Sequence, residues 1–164
     1  MSAIVEASFK SAMRRMAATV NLITLSEGGV PKGMAATAVS SLSMDPPSLL
    51  VCVNRSASLH EPMGAATQFC VNVLHADQIE IARIFADNSL REVRFNTGRW
   101  AIEPGKAPYL EDAQAALFCD VDQTFSYGTH TIFIGRVTEV RVREHVDPLI
   151  YVDGGYRAPL PRRD

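Results

Sequence analysis

Two neighbouring stretches carry the side chains best suited to chemistry. From Gly33 to Pro47 the chain reads GMAATAVSSLSMDPP, a run almost without large residues, and after the apolar SLLVCVN it turns into the polar NRSAS. Small side chains let a backbone approach a flat ligand, and main-chain N–H groups and hydroxyls can then bond its polar edge. That composition suits a cradle for a planar ring. It also suits a plain surface loop and edge strand of low side-chain volume. In the second stretch Arg55, Ser56 and Ser58 group a guanidinium fork, two hydroxyls and loop amides, a set that fits a phosphate. Serine-rich turns also occur without any ligand.

Other catalytic patterns are missing: no P-loop, HExxH or GxSxG occurs, and no GxGxxG follows a strand. His60, His75, His130 and His145 are scattered without ligand spacing, so no metal site is expected. Sixteen lysines and arginines against 18 aspartates and glutamates give a formal charge of -2, which excludes a field of one sign for nucleic acid or an anionic membrane. The opening MSAIVEASFK lacks a secretion signal, and no stretch reaches the roughly 18 apolar residues of a membrane span. Cys52, Cys70 and Cys119 form no CxxC pair, and an odd number of buried-looking thiols points to a reducing cytoplasm. A soluble cytoplasmic protein that handles a small ligand or another protein is expected.

The elements that must position these residues follow from periodicity. Phe9, Ala12, Met13 and Met16 lay an apolar stripe on an opening helix, whose expected role is packing on a sheet. TVNLITLS, SLLVCVN, QFCVNVL, AQAALFCDVD and HTIFIGRVTEVRVRE read as strands. In the last of these Gly135 marks a bend or bulge. Asp77 and Glu80 open a second helix with Ile81, Ile84 and Phe85 on one face. Asn88 to Glu111 reads as loop with short strands, Trp100 as a core or interface aromatic, and PLPRRD as a frayed tail. Many strands, two clear helices, no repeat and no linker give a single domain, a mostly antiparallel barrel over 164 residues.

GMAATAVSSLSMDPPSLLVCVNRSAS, FCVNVL, GTHTIFIGRV and PLIYVDGGYR, in that order, resemble the short-chain flavin reductases that serve as components of two-component flavin-dependent monooxygenases. The resemblance spans about Phe9 to Arg157. It implies a split β-barrel of FMN-binding type, a homodimer, and reduction of FMN or FAD by NADH or NADPH, with the reduced flavin passed to a partner monooxygenase. By position it places Ala35, Ala36, Thr37, Ala38, Val39, Ser40 and Ser41 beside the isoalloxazine. It places Val53, Asn54, Arg55, Ser56 and Ser58 around the ribityl chain and phosphate, and Arg94 and Phe95 in a third flavin-contacting stretch. His130 matches a histidine near the nicotinamide, with Tyr156 and Arg157 bordering that pocket. Two departures stand out: Ala35 replaces a frequent threonine, and Thr129 replaces an aspartate before His130.

Hydride transfer between stacked rings needs positioning and no acid–base dyad, which accords with the lack of catalytic carboxylates. A non-catalytic flavin-binding or flavin-sensing barrel would use the same cradle. A pyridoxamine-phosphate-oxidase-like enzyme would need a basic pocket for a second phosphate, and none is evident in the sequence.

Overall fold

Period-two alternation and turn residues cut this chain into strands. The computed structural model describes residues 3–159. Helix α1 (Ala3–Met13) leads to β1 (Ala18–Thr19), β2 (Asn21–Glu27), β3 (Val30–Ala36), β4 (Val39–Met44) and β5 (Pro47–Asn54). Helix α2 (His60–Ala65) and β6 (Gln68–Val73) precede a 3-10 turn, Ala76–Gln78, which runs into α3 (Ile79–Ala86). A 3-10 segment, Asn88–Asn96, follows, then β7 (Trp100–Ala101), β8 (Tyr109–Leu110), the long pair β9 (Ala115–Tyr127) and β10 (His130–Val142), and finally β11 (Ile150–Val152) and β12 (Gly155–Arg157).

Seven strands form one antiparallel sheet in the order β3-β2-β6-β9-β10-β5-β4. Its two edge strands, β3 and β4, are consecutive in sequence and joined by Thr37 and Ala38 alone. Three peptide units span at most about 11 Å, so the sheet must curl until its edges almost meet. The product is a barrel left open along one seam, the split barrel the sequence implies. A three-stranded sheet, β1-β11-β12, and the β7-β8 pair lie outside it.

The barrel interior is packed by Ile23, Leu25, Leu49, Val51, Val53, Phe69, Val71 and Phe133, with Leu59 and Met63 from the α2 region. A second cluster lies on the other face of β2, where Val20 and Leu22 meet Ile81 and Phe85 of α3. Strand β2 is therefore buried on both faces, which its near-continuous apolar NLITL requires. Gly135 has the expected irregularity, a register shift against β9. Packing also requires glycine at this position, because a Cβ there would lie 2.5 Å from the Phe69 ring.

The opening helix departs from expectation. It forms, but no residue of it is buried, and Phe9 and Met13 stay 63% and 44% exposed. Among the described residues Phe9 and Met13 pack into no core cluster. Its end is tied to the β11–β12 turn by Arg14, whose Nε lies 3.0 Å from Asp153 Oδ1. Helix α2 is an element that periodicity did not reveal, and Asn88–Asn96 is 3-10 helix where loop was expected. Leu160–Asp164, most of the expected tail, lies outside the described residues. Among those described, no helix is long and apolar enough to cross a membrane.

Candidate active site

The seam of the barrel is made from the small-residue run. Met34, Ala36 and Val39 pack against the barrel core, and Ala35 against the second cluster. Thr37, Ala38, Ser40 and Ser41 are exposed. Strand β3 pairs only with β2, and β4 only with β5, so each presents one unpaired row of main-chain donors and acceptors to the seam. The crossing itself is held by the Val39 N–H donating to the Thr37 carbonyl and the Cys52 N–H to the Ala38 carbonyl, both at 3.0 Å. Asn21 Nδ2 donates to the Ala36 carbonyl at 3.3 Å. Just upstream Gly33 has a packing reason of its own, since a Cβ would sit 2.8 Å from the Phe85 ring.

Strand pairing carries the seam sideways to the other predicted groups. Asn54 at the end of β5 lies opposite His130 at the start of β10, and Tyr127 of β9 lies opposite His130 on its other side. Cross-strand partners share a face, so Asn54, His130 and Tyr127 form one row, half-buried at Asn54 and exposed at His130 and Tyr127. The Arg55 N–H donates to the Thr129 carbonyl at 2.9 Å, closing the loop against this row. His130 Nδ1 lies 2.9 Å from the Thr129 hydroxyl. The Thr129 hydroxyl is thus the imidazole's hydrogen-bonding partner.

The loop after β5 is preorganised by Asn54, whose Oδ1 accepts both the Ser56 N–H and the Ser56 hydroxyl at 2.9 Å. Arg55, Ser56 and Ser58 are exposed. Val53 is fully buried in the barrel core, so its side chain cannot reach a ligand. It offers only main chain.

Arg94 is 4% exposed and braces the fold. Its Nη1 donates to the Gly33 carbonyl at 2.6 Å, and Nη2 to the Asp87 carbonyl at 3.1 Å. Burial, then the nearby Arg91, hold its pKa below the usual guanidinium value. Phe95 packs edge-on against Phe85 and Trp100 at 5.3 and 4.8 Å between centroids. Trp100, stacked on Phe85 at 5.4 Å, is the core aromatic the sequence suggests.

Arg94 and Phe95 border the same cleft as Ser58, so the third predicted stretch does meet the second. Sequence reasoning missed two further residues on that cleft, Lys32 and Arg91. Their only sequence signal is basic charge, which is common on surfaces.

Tyr156 packs against the cluster that also receives Ala35, and Arg157 is exposed beside it. Burial, then Tyr151, raise the Tyr156 pKa. Among the described residues no hydrogen bond or ring contact joins either residue to His130. The β11–β12 hairpin approaches the seam from the α1 side, where Thr37, Met13, Tyr151 and Gly154 line a second cleft of about 240 Å³.

An open seam flanked by small exposed residues and unpaired edge groups fits a planar heterocycle with a polar rim. The adjoining Ser58–Arg94 cleft fits an anionic tail.

Comparison with known proteins identifies the family and the fold. Residues 13–159 match the family model described as a flavin reductase like domain. The reductase component of an FADH(2)-dependent resorcinol hydroxylase from Rhizobium sp. (strain MTP-10005) is 42% identical over 156 residues, covering 94% of this chain and 87% of the relative. An FMN reductase (NADH), RutF, from Pseudomonas syringae pv. syringae (strain B728a) is 38% identical, covering 95% and 88%. Among solved structures, the NADH:FAD oxidoreductase SgcE6 of Streptomyces globisporus C-1027, in complex with NAD and FAD fragments, superposes with a TM-score of 0.90 at 29% identity, covering 100% of this chain and 98% of that one.

Proposed function

The chain belongs to the flavin reductase-like family, and on that premise we propose that it is an NAD(P)H-dependent flavin reductase that uses the barrel seam as its active site. It takes a hydride from NADH or NADPH to FMN or FAD and supplies the reduced flavin to a monooxygenase partner. The observation that carries the reading is the seam itself. Two unpaired strand edges and a run of small residues meet there, beside the half-buried Asn54 and the exposed His130 paired across β5 and β10.

A bound flavin supplies the two-electron acceptor, and the balance is one hydride from the nicotinamide plus one proton from solvent. The protein positions the two rings. Main-chain groups of Ala35 to Ser41 face the ring, and donors among them oppose the negative charge that builds up there on reduction. Asn54, Arg55, Ser56 and Ser58 hold the ribityl phosphate, with the Val53 backbone beside them and Arg94 and Phe95 forming the far wall. His130, exposed at the start of β10, steers the nicotinamide. Tyr156, beside Ala35 on the second cluster, and the exposed Arg157 border the ring from the other side. The site is open, which suits a flavin that leaves as product.

The protein works as a homodimer. Support comes from the apolar stripe of α1, where Phe9 and Met13 stay 63% and 44% exposed. Three unpaired thiols, Cys52, Cys70 and Cys119, suit a reducing cytoplasm. The test is NADH and NADPH oxidation with FMN, FAD or riboflavin. Rapid turnover is expected, and a protein that binds flavin tightly yet ignores both nicotinamides is a sensor instead.

A further inference from the structure

The cleft that begins at Ser58 is larger than one phosphate requires. It holds about 320 Å³ between Lys32 and Gly33 of β3, Ser58 on the loop after β5, and the 3-10 segment around Arg91 and Arg94. One water needs only about 10–15 Å³ of such space. One phosphate displaces far less than the cleft holds.

Its charge is unbalanced in the same place. Lys32, Arg91 and Arg94 line it against a single carboxylate, Glu92. Arg94 is the informative member, because it is buried with no carboxylate accepting from its guanidinium. Its Nη groups meet the neutral Gly33 and Asp87 carbonyls and the Asn88 amide oxygen, 3.5 Å away, and its Nε is buried with no partner at all. The neighbouring Asp87 carboxylate is turned to Ser89, accepting from its N–H and hydroxyl at 2.8 and 2.7 Å. A buried guanidinium whose neighbouring carboxylate is hydrogen-bonded elsewhere is costly, and Arg91 adds like charge.

The two rim cations are free to respond. Lys32 is loosely paired with Glu27 at 3.8 Å, while Arg91 has no ion pair or hydrogen bond among the described residues. Arg94 has both amino groups engaged by the fold, so it contributes potential more than a direct bond. Arg91 can offer a whole bidentate fork.

Building on the flavin reductase reading, we infer that this cleft is a subsite for a second phosphate, the adenosine-side phosphate of FAD, with Arg91 as its main ligand and Lys32 as support. The first phosphate of either flavin sits at Ser58, and in FAD the second follows it along the chain into the cationic cleft. FMN leaves that subsite empty. The protein therefore gains affinity from the adenylate half, and FAD is its better flavin.

The test titrates apoprotein with riboflavin, FMN and FAD, using wild type, Arg91→Ala, Arg91→Lys and Lys32→Ala. Arg91 and Lys32 are exposed, and thermal melts check that the variants keep the fold. In Arg91→Ala the FAD dissociation constant should rise about tenfold or more and that of FMN less than about threefold, with riboflavin unchanged and smaller losses for Lys32→Ala. Arg91→Lys should recover part of the loss. FAD binding to the wild type should also weaken more steeply with salt than FMN binding. Equal losses for FMN and FAD, or no loss for FAD, overturn the subsite. A rise confined to the KM of the nicotinamide overturns it too, and gives the cleft to the other dinucleotide. A wild type that binds no flavin refutes the reductase reading itself, whereas one that binds FMN and FAD equally refutes only the subsite.

Discussion

The two serines of the loop after β5 differ in a way that makes the phosphate assignment quantitative. The Ser58 hydroxyl is exposed and makes no hydrogen bond among the described residues, so its bond to a phosphate is gained in full on binding. A hydrogen bond to a charged group contributes about 1.5–3 kcal/mol, which puts Ser58→Ala at roughly a ten- to hundredfold loss of FMN affinity. The Ser56 hydroxyl already donates to Asn54 Oδ1 at 2.9 Å. It must exchange that bond, itself about 0.5–1.5 kcal/mol, for the phosphate. The net loss in Ser56→Ala is then near 1 kcal/mol, roughly a three- to tenfold effect. Fluorescence titration of the apoproteins with FMN and riboflavin reads both numbers. Riboflavin, which lacks the phosphate, should bind all three proteins alike. A riboflavin loss equal to the FMN loss, or a Ser56 effect larger than the Ser58 effect, would show that the serines shape the loop without holding a phosphate.

His130→Ala should raise the KM for the nicotinamide and lower kcat while leaving the flavin dissociation constant unchanged, as measured by steady-state kinetics beside flavin titration; loss of flavin binding alone would move His130 out of the nicotinamide site. Gly135→Ala should destabilise the barrel by about 1–3 kcal/mol, because its new Cβ meets the Phe69 ring at 2.5 Å and the Cys119 Cβ at 2.8 Å. Urea unfolding monitors this, and an unchanged midpoint would contradict the close packing. Replacing Phe9 and Met13 together by aspartate should shift the protein from dimer to monomer in sedimentation at micromolar concentration. A wild type that sediments as a monomer with full activity would exclude the dimer.

Periodicity made the barrel legible, because residues buried on one face must alternate. SLLVCVN was legible as a strand, and Leu49, Val51 and Val53 form its buried face. Helix α3 was legible through its acidic start and its Ile81–Phe85 face. Helix α1 was legible as a helix but not in its burial, since an apolar stripe does not say which surface covers it. Helix α2, six residues of HEPMGA, is too short to show a period. The seam was signalled by the small-residue run, and its neighbour NRSAS by composition. The juxtaposition of Asn54 with His130 depends on β5 pairing with β10, a contact 76 residues apart in sequence that no local pattern encodes. Arg94 illustrates the same limit. It was selected through VRFN, yet its engagement with the Gly33 carbonyl follows only from how the 3-10 segment packs on β3.

Anaerobic mixing of the protein with NADH or NADPH and each flavin, with the absorbance of oxidised flavin followed in time, tests the central claim most directly. The account predicts stoichiometric bleaching, one flavin reduced per nicotinamide oxidised. It also predicts a slower rate when the hydride at the nicotinamide C4 position is replaced by deuteride, and reduced flavin that passes freely through a membrane retaining the protein. Flavin that stays oxidised with both nicotinamides, while binding in the seam, would contradict it.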